Sequence, residues 1–323
     1  MFQKSLMIVF CIAITGIVYS QVKKNALKKS TPVRKTTLKK TPISKNVPTR
    51  PRENGKAFKT LLFEISGKGL TKPSYLFGTM HILCADDASL SPSLKSVIKQ
   101  ADQVYFEIDM DNMQEIMGAL KYLRMNDGKQ LSDLVTAAEY EKIKGYFEKN
   151  RVMLPFSMMT RFKPYFVTSL IGEQLMTCEK KNGMETLIMG ESRQYDKDIK
   201  GLETTEFQAS IFDSIPYEKQ ADDLIKYIDS LDNYRKITQE LIDVYKKQDL
   251  EGLNMLMMKS DPGMEQYMDL LLYGRNRKWT ELMPGIMAGR STLFAVGAGH
   301  LPGDQGMINL LRKSGYTLKP LSN

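Results

Sequence analysis

An apolar run, a glycine and a histidine follow one another in the stretch Ser74-Tyr-Leu-Phe-Gly-Thr-Met-His-Ile-Leu-Cys84. The same pattern returns near the other end of the chain, in Ala295-Val-Gly-Ala-Gly-His300. His81 and His300 are the two histidines of the chain, and each lies three residues after a glycine that closes the apolar run. Short apolar runs bounded by glycine are typical of buried strands. The repetition predicts a site assembled from two strand ends that are far apart in sequence.

The remaining strand-like segments surround a long helical middle. Periodicity of the helical kind dominates from Asn112 to about Leu282. The predicted strands cover residues 57–66, 74–77, 103–109, 198–202, 291–297 and 315–320. This pattern predicts an α/β (α+β mixed) fold, in which helices flank a mixed central sheet. A large helical insertion, about 112–196 and 207–285, is expected to form a lid over the site.

The N-terminal part of the sequence is expected to lie outside this domain. Residues 1–20 combine a positive start, a short apolar run and small or branched residues before Gln21, which predicts a signal peptide. Their apolar run is shorter than the ~20 residues that a membrane span needs. Residues 21–56 are rich in Lys, Thr, Pro and Ser, which predicts a disordered basic linker. The domain boundaries are therefore 1–20, 21–56 and 57–323, and the protein is expected to be exported to a periplasmic or extracellular location.

The positive charge of the chain is concentrated in the same N-terminal part. Residues 1–56 contain 13 Lys and Arg and one acidic residue, a net charge of +12. Since the whole chain carries +9, residues 57–323 carry −3. The charge therefore does not predict a nucleic-acid partner. It is consistent with peripheral association of the linker with an anionic envelope surface, or with a solvated linker alone.

Candidate chemical groups lie at or near the ends of the predicted strands. Glu107 lies inside the run 103–109, where burial of a carboxylate is costly without a partner. Glu203 follows the strand 198–202 directly and could also cap the helix after it. Ligands of open α/β sheets collect at the carboxyl ends of strands. We therefore expect His81, Glu107 and His300 to form either a divalent metal site or a metal-free acid–base group.

Cations and cysteines supply further candidates. Arg275 could stabilise an oxyanion or hold a substrate carboxylate, and otherwise belongs to a helix surface. The same two interpretations apply to three other cations, Arg161, Lys163 and Arg277. Of the three cysteines, Cys84 and Cys178 remain after signal removal. In an exported protein the two could form a disulfide bond, which the sequence does not decide.

The order and spacing of several motifs resemble the TraB/GumN family, whose relatives include the TIKI-type metalloproteases and, more distantly, erythromycin-esterase-like and ChaN-like proteins. The resemblance covers about residues 62–320. It is carried by Tyr75-Leu-Phe-Gly-Thr-Met-His81, Phe106-Glu-Ile-Asp109, Arg161-Phe-Lys-Pro164, Gly201-Leu-Glu-Thr204, Arg275-Asn276 with Trp279, and Val296-Gly-Ala-Gly-His300. One departure is Glu185, where the family pattern leads us to expect an aspartate.

The resemblance implies an active centre made of His81, Glu107 and His300, with Glu203 and Arg275 as further catalytic residues. It implies hydrolysis of a peptide or other carbonyl-containing substrate with a divalent ion, either zinc, manganese or cobalt. Two alternatives stay open. One is a metal-free, esterase-like hydrolase that uses a His81–Glu107 pair, and the other is a non-catalytic envelope protein that binds a peptide or polymer.

Overall fold

A computed structural model describes residues 59–150, 152, 154–259 and 265–323. The predicted signal peptide (1–20) and basic linker (21–56) lie outside the described residues. Within the described part, the expected mixed α/β fold is confirmed. The boundary at residue 57 and the lid role of the helical segments stay predictions.

Six strands form the central sheet in the order β6-β4-β7-β2-β1-β8. The strands are β1 (Leu62–Ser66), β2 (Ser74–Thr79), β3 (Leu83–Cys84), β4 (Gln103–Ile108), β5 (Lys181–Asn182), β6 (Asp198–Glu203), β7 (Thr292–Gly297) and β8 (Thr317–Pro320). β6, β4, β7 and β2 run parallel, whereas β1 pairs antiparallel with both β2 and β8. Four adjacent strands therefore bring their carboxyl ends to one edge of the sheet.

Helices occupy most of the chain between the strands. They are α1 (Pro92–Gln100), α2 (Met113–Ala119), α3 (Ala137–Lys149), α4 (Phe156–Met159), α5 (Pro164–Gln174), α6 (Met184–Arg193), α7 (Thr205–Ser210), α8 (Tyr217–Asp229), α9 (Leu231–Lys246), α10 (Leu250–Lys259), α11 (Gly274–Met287) and α12 (Met307–Lys313). Those from α2 to α6 lie between β4 and β6, and those from α7 to α11 lie between β6 and β7. The structure thus has helices before and after β6, and it adds the two-residue strand β5, which the sequence analysis did not predict.

Alternation along the strands gives the sheet two buried faces. Phe77 and Ala295 contribute to a core that includes Val97 and Ile98 of α1 and Ile242 and Tyr245 of α9. The opposite faces of the same strands pack against α11 and α12 through a second core (Leu76, Phe294, Val296, Trp279, Met283, Met307 and Leu311). Helices thus cover both faces, so the polar groups at the carboxyl edge project from a rigid, fully packed sheet.

The helices α3, α5 and α8 form a separate apolar cluster beside the sheet. Its buried members include Ile143, Phe147, Leu170, Ile171 and Leu224. Among the described residues no helix is both long enough and apolar enough to span a bilayer. In the mostly apolar helix α5, every residue from Pro164 to Glu173 is buried.

Candidate functional site

Four neighbouring parallel strands each deliver one of the predicted polar residues to the same edge. His81 lies two residues beyond β2, and His300 lies three residues beyond β7, in a single 3-10 turn. Glu107 is the last-but-one residue of β4, and Glu203 is the last residue of β6. The sheet order therefore places both histidines and both glutamates together, as the rule for open α/β sheets leads one to expect.

Gly297 marks the point where three of these side chains converge. A Cβ atom at Gly297 would lie 3.1 Å from Glu107 Oε1 and 3.6 Å from both His81 Nε2 and His300 Cδ2. The backbone N–H of Gly297 donates a hydrogen bond to Glu107 Oε1 at 2.8 Å. Because glycine has no side chain, it leaves the space between the two imidazoles and the carboxylate open.

A carboxylate orients the first imidazole. His81 Nδ1 lies 2.6 Å from Glu185 Oε1, near the start of α6. Burial alone would lower the pKa of His81, but the charge and hydrogen bond of Glu185 outweigh it and raise this pKa to about 9. The side chain of His81 is more exposed than that of His300, with exposed fractions of 10% and 3%. A ligand would therefore meet the cluster on the His81 side.

An amide orients the second imidazole. Asn276 Nδ2 donates to the carbonyl oxygens of His300 and Gln305, at 3.3 and 2.8 Å, so its Oδ1 must face the ring. That oxygen lies 2.5 Å from His300 Nδ1, which places the ring hydrogen on Nδ1. Burial lowers the pKa of His300 to about 3, so the ring is neutral and its Nε2 carries a lone pair. Nε2 lies 3.6 Å from Glu107 Oε1.

Arg275 joins the two carboxylates beneath the histidines. Its Nη2 donates to Glu107 Oε2 at 2.7 Å and to Glu203 Oε1, while its Nε donates to Glu203 at 3.0 and 3.2 Å. Its Nη1 donates to the carbonyl oxygen of Leu271 and lies 3.4 Å from His300 Nε2. In this structure the carboxylates of two neighbouring strands surround the Arg275 guanidinium. Contact of Arg275 with a substrate oxyanion therefore stays a prediction.

The two buried carboxylates have opposite pKa shifts. Burial raises the pKa of Glu203, against the opposing effect of the Arg275 guanidinium. Burial would also raise the pKa of Glu107, but Arg275, the two histidines and the Gly297 N–H together outweigh it and hold this pKa well below its usual range. Glu107 is therefore ionised next to the imidazoles. Divergent pKa values in neighbouring titratable groups are characteristic of sites that divide acid and base roles.

Gln208 and Trp279 complete the hydrogen bonding of these carboxylates. Gln208 Nε2 donates to Glu107 Oε2 at 3.0 Å and to Glu203 Oε1 at 3.1 Å, and Trp279 Nε1 donates to Glu203 Oε2 at 3.1 Å. Glu203 is thus held within the site, whereas the cap of α7 is the side chain of Thr204. One cation, two neutral side-chain donors and the Gly297 N–H therefore hold both carboxylates.

The remaining predicted cations lie away from this cluster. Lys163 is buried among the helices, where it donates to the carbonyl oxygen of Ala209 and pairs with Asp213 at 2.8 Å. Arg277 makes an exposed ion pair with Asp269 at 2.6 Å, and Arg161 is exposed. The expected surface position agrees with the exposure of Arg161 and Arg277, whereas Lys163 is buried in an ion pair between helices.

Binding of a divalent metal ion at this cluster would depend on the nitrogen and oxygen donors of His81, His300 and Glu107. Among the residues that the structure describes, no group of three or more His, Cys, Asp or Glu side chains is already arranged to hold a metal ion. The donors nevertheless fit one, because each imidazole has its Nδ1 engaged by an oxygen while its Nε2 lies near Gly297 in His81 and 3.6 Å from Glu107 Oε1 in His300. Metal-binding histidines are generally oriented in this way by a hydrogen bond to the second ring nitrogen.

Three residues of the site carry a role that the sequence did not assign. Glu185 had been noted only as a family departure, Asn276 only beside Arg275, and Gln208 not at all. Glu185 had one available signal, since a carboxylate two residues after Gly183 opens α6. Nothing in the local sequence distinguishes Gln208 from a polar helix residue.

Exchanging Gly183 for alanine is expected to lower the free energy of unfolding by about 1–3 kcal/mol, as overpacking does. A Cβ at Gly183 would overlap the carbonyl oxygen of His81 and reach 3.3 Å from Glu185 Oε2. Gly190 on the same helix is the matched control, since nothing lies within 4 Å of its Cβ position. Gly190→Ala should raise stability by up to ~1 kcal/mol. Urea denaturation measures both, and equal effects would contradict the close packing at His81.

Fold and site together define a class of protein, namely a mixed α/β protein with a buried histidine–carboxylate cluster at the carboxyl edge of its sheet. The chain belongs to the TraB/PrgY/gumN family, whose model matches residues 61–320. That span begins just before β1 and ends at the last residue of β8, so it includes every residue of the cluster. No solved structure shows a significant match.

Named relatives of the chain are similar to it at low identity. It is 23% identical to Metalloprotease TIKI1 of Danio rerio over 300 residues, covering 76% of this chain and 60% of that protein. It is 21% identical to Metalloprotease TIKI1 of Homo sapiens over 300 residues, covering 76% and 59%. For the Metalloprotease TIKI homolog of Nematostella vectensis the identity is 20% over 334 residues, covering 86% and 70%. The chain thus spans about 60% of the length of the TIKI1 relatives. Together these findings support a hydrolase- or peptidase-like family.

Proposed function

We propose that this protein is an exported, metal-dependent hydrolase of peptides or of other carbonyl-containing substrates. The observation that carries the proposal is the convergence of His81, His300 and Glu107 around Gly297. Metalloprotease names among the relatives support the reaction class. The disulfide bond between Cys84 and Cys178 supports export, because such bonds persist mainly in oxidising compartments.

His81, His300 and Glu107 are the residues that would hold the ion, which we expect to be zinc, manganese or cobalt. A divalent ion would supply a Lewis acid that lowers the pKa of a water molecule toward ~7 and polarises a carbonyl. Glu185 and Asn276 fix the orientations of the two imidazoles through their Nδ1 atoms. Arg275, by keeping Glu107 ionised, leaves this carboxylate able to bind a cation or accept a proton.

The position of Glu203 gives it a supporting role in this proposal. Its oxygens accept hydrogen bonds from Arg275, Trp279 and Gln208, so it turns the guanidinium toward Glu107. Trp279 also lies against His300, with ring centroids 4.5 Å apart, and beneath the Arg275 guanidinium at 4.6 Å. The indole thus excludes water from the inner side of the cluster.

Adding zinc, manganese or cobalt to chelator-stripped protein is expected to raise its melting temperature. An ion at 100 times its dissociation constant stabilises the folded state by about 2.7 kcal/mol, which corresponds to several degrees for a domain of this size. His81→Ala and His300→Ala should abolish the shift, whereas Asp269→Asn at the exposed ion pair should retain it. Metal analysis of the purified protein provides the second measurement. Absence of bound metal together with an unchanged melting temperature would contradict metal binding.

A metal-free hydrolase is the second candidate, and the His81–Glu185 contact favours it. An imidazole whose Nδ1 faces a carboxylate is the arrangement of a general acid or base. The partner differs from the expected Glu107, because the start of α6 packs against the loop after β2. This candidate predicts turnover that survives a chelator but is lost in His81→Ala. Absence of turnover across a broad panel of peptides and esters would favour a binding protein instead, for which the basic linker could supply attachment to an anionic envelope surface.

A further inference from the structure

The disulfide bond lies next to the His81–Glu185 pair. Cys84, the last residue of β3, is three residues after His81, and its partner Cys178 is seven residues before Glu185. The bond links positions 94 residues apart in sequence. It therefore ties the segment that carries His81 to the segment that carries Glu185.

Backbone hydrogen bonds continue this connection from the disulfide to the site. β3 pairs antiparallel with β5, and Ala85 N–H donates to the carbonyl oxygen of Lys180 at 2.9 Å. At the other end Met184 N–H donates to the carbonyl oxygen of Met80 at 3.1 Å. Met80 and Met184 directly precede His81 and Glu185. The clip, defined as residues 80–85 and 178–185, thus fixes the two side chains relative to each other.

Leu83 and Met184 of the clip are buried in the core that includes Phe77 and Ala295, and the disulfide is the covalent cross-link between the two segments of the clip. Its two strands are two residues long, and isolated two-stranded pairings are marginally stable in water. The six-stranded sheet does not include either strand. The second imidazole is held differently, since the partner of His300 is Asn276 on α11, outside the clip.

We infer that the Cys84–Cys178 bond is a positioning device for the candidate active centre, so that its reduction separates His81 from Glu185 and disables the site while the sheet stays folded. Cys84 and Cys178 are half-buried, which leaves the bond within reach of a thiol. A dithiol reductant would supply two electrons and two protons. Its thiolate attacks one sulfur to form a mixed disulfide, its second thiol then closes the reductant's own disulfide, and two cysteine thiols remain. The consequence for activity rests on the proposed function.

Imidazole proton NMR of histidine-labelled protein tests the inference without any substrate. The chain has two histidines, and each Nδ1 faces an oxygen, so two downfield Nδ1–H signals are expected. His300→Asn assigns them by removing one. In Cys84→Ser/Cys178→Ser, and in wild type treated with dithiothreitol, we expect the His81 signal to disappear and the His300 signal to remain. Far-UV circular dichroism should be unchanged.

Two NMR results would overturn the inference. Persistence of both signals would show that the clip holds without the disulfide, and loss of both would show that reduction unfolds the domain. Hydrolysis is measured in parallel, with an expected loss of about 10- to 100-fold, as for other residues that orient metal ligands. If the wild type hydrolyses nothing, the proposed function is wrong. The NMR result would still decide whether the Cys84–Cys178 bond positions His81. The use of reduced wild type covers the case in which the double variant does not fold.

Discussion

Replacing Arg275 with methionine is expected to lower the free energy of unfolding by about 3–5 kcal/mol, the usual cost of removing one partner of a buried ion pair. The guanidinium is 1% exposed and lies between Glu107 and Glu203, whose side chains are each 7% exposed. Without it, two buried carboxylates face each other with only neutral donors around them, namely Gln208, Trp279 and the Gly297 N–H. Methionine has a similar volume, so the effect would be due mainly to the lost charge.

Arg277→Met on the same helix is the matched control. Its ion pair with Asp269 is largely exposed, and exposed pairs contribute about 0–1 kcal/mol. Urea denaturation of both variants measures the difference. Adding Glu203→Gln to Arg275→Met should restore part of the lost stability, since it removes one uncompensated charge. Equal destabilisation by Arg275→Met and Arg277→Met would contradict the role assigned to the buried cluster.

Much of the sheet edge could be predicted from the sequence, because strand ends and polar residues coincide there. The two glycine–histidine motifs follow β2 and β7, which pair in parallel with Thr79 opposite Gly297. Glu107 was conspicuous as a carboxylate in an apolar strand. Local pattern sufficed in these cases, because each residue is placed by the strand that precedes it.

Partnerships between distant segments could not be predicted in the same way. Glu185 lies 104 positions after His81, and their contact depends on how α6 packs against the loop after β2. Whether Cys84 and Cys178 form a disulfide was open for the same reason, since the distance between them depends on the β3–β5 pairing. The sequence singled out Arg275 but not the residues that its guanidinium contacts. These acceptors, Glu107 and Glu203, come from two different strands.

Glu107→Gln is expected to reduce kcat/KM for any substrate that the wild type hydrolyses by about 10²–10⁴-fold, the range for loss of a general base. Oε1 of Glu107 is the carboxylate oxygen that lies near both imidazoles. Glutamine could still accept the hydrogen bond from Gly297 N–H, so the loop that carries His300 should keep its position. What the substitution removes is the negative charge and basicity at the centre of the cluster.

Arg275 keeps its hydrogen bonds to Glu203, but the new amide nitrogen would face the donors Arg275 Nη2 and Gln208 Nε2, so the variant should be less stable. Far-UV circular dichroism at the assay temperature checks that it is still folded. Glu206→Gln, at an exposed position on α7, is the control and should leave kcat/KM unchanged. The metal-induced rise in melting temperature should also decline in Glu107→Gln, since a neutral amide binds divalent cations more weakly than a carboxylate does. Wild-type kcat/KM in Glu107→Gln would exclude this carboxylate from the reaction. A loss of kcat/KM with an undiminished metal shift would instead assign it to proton transfer alone.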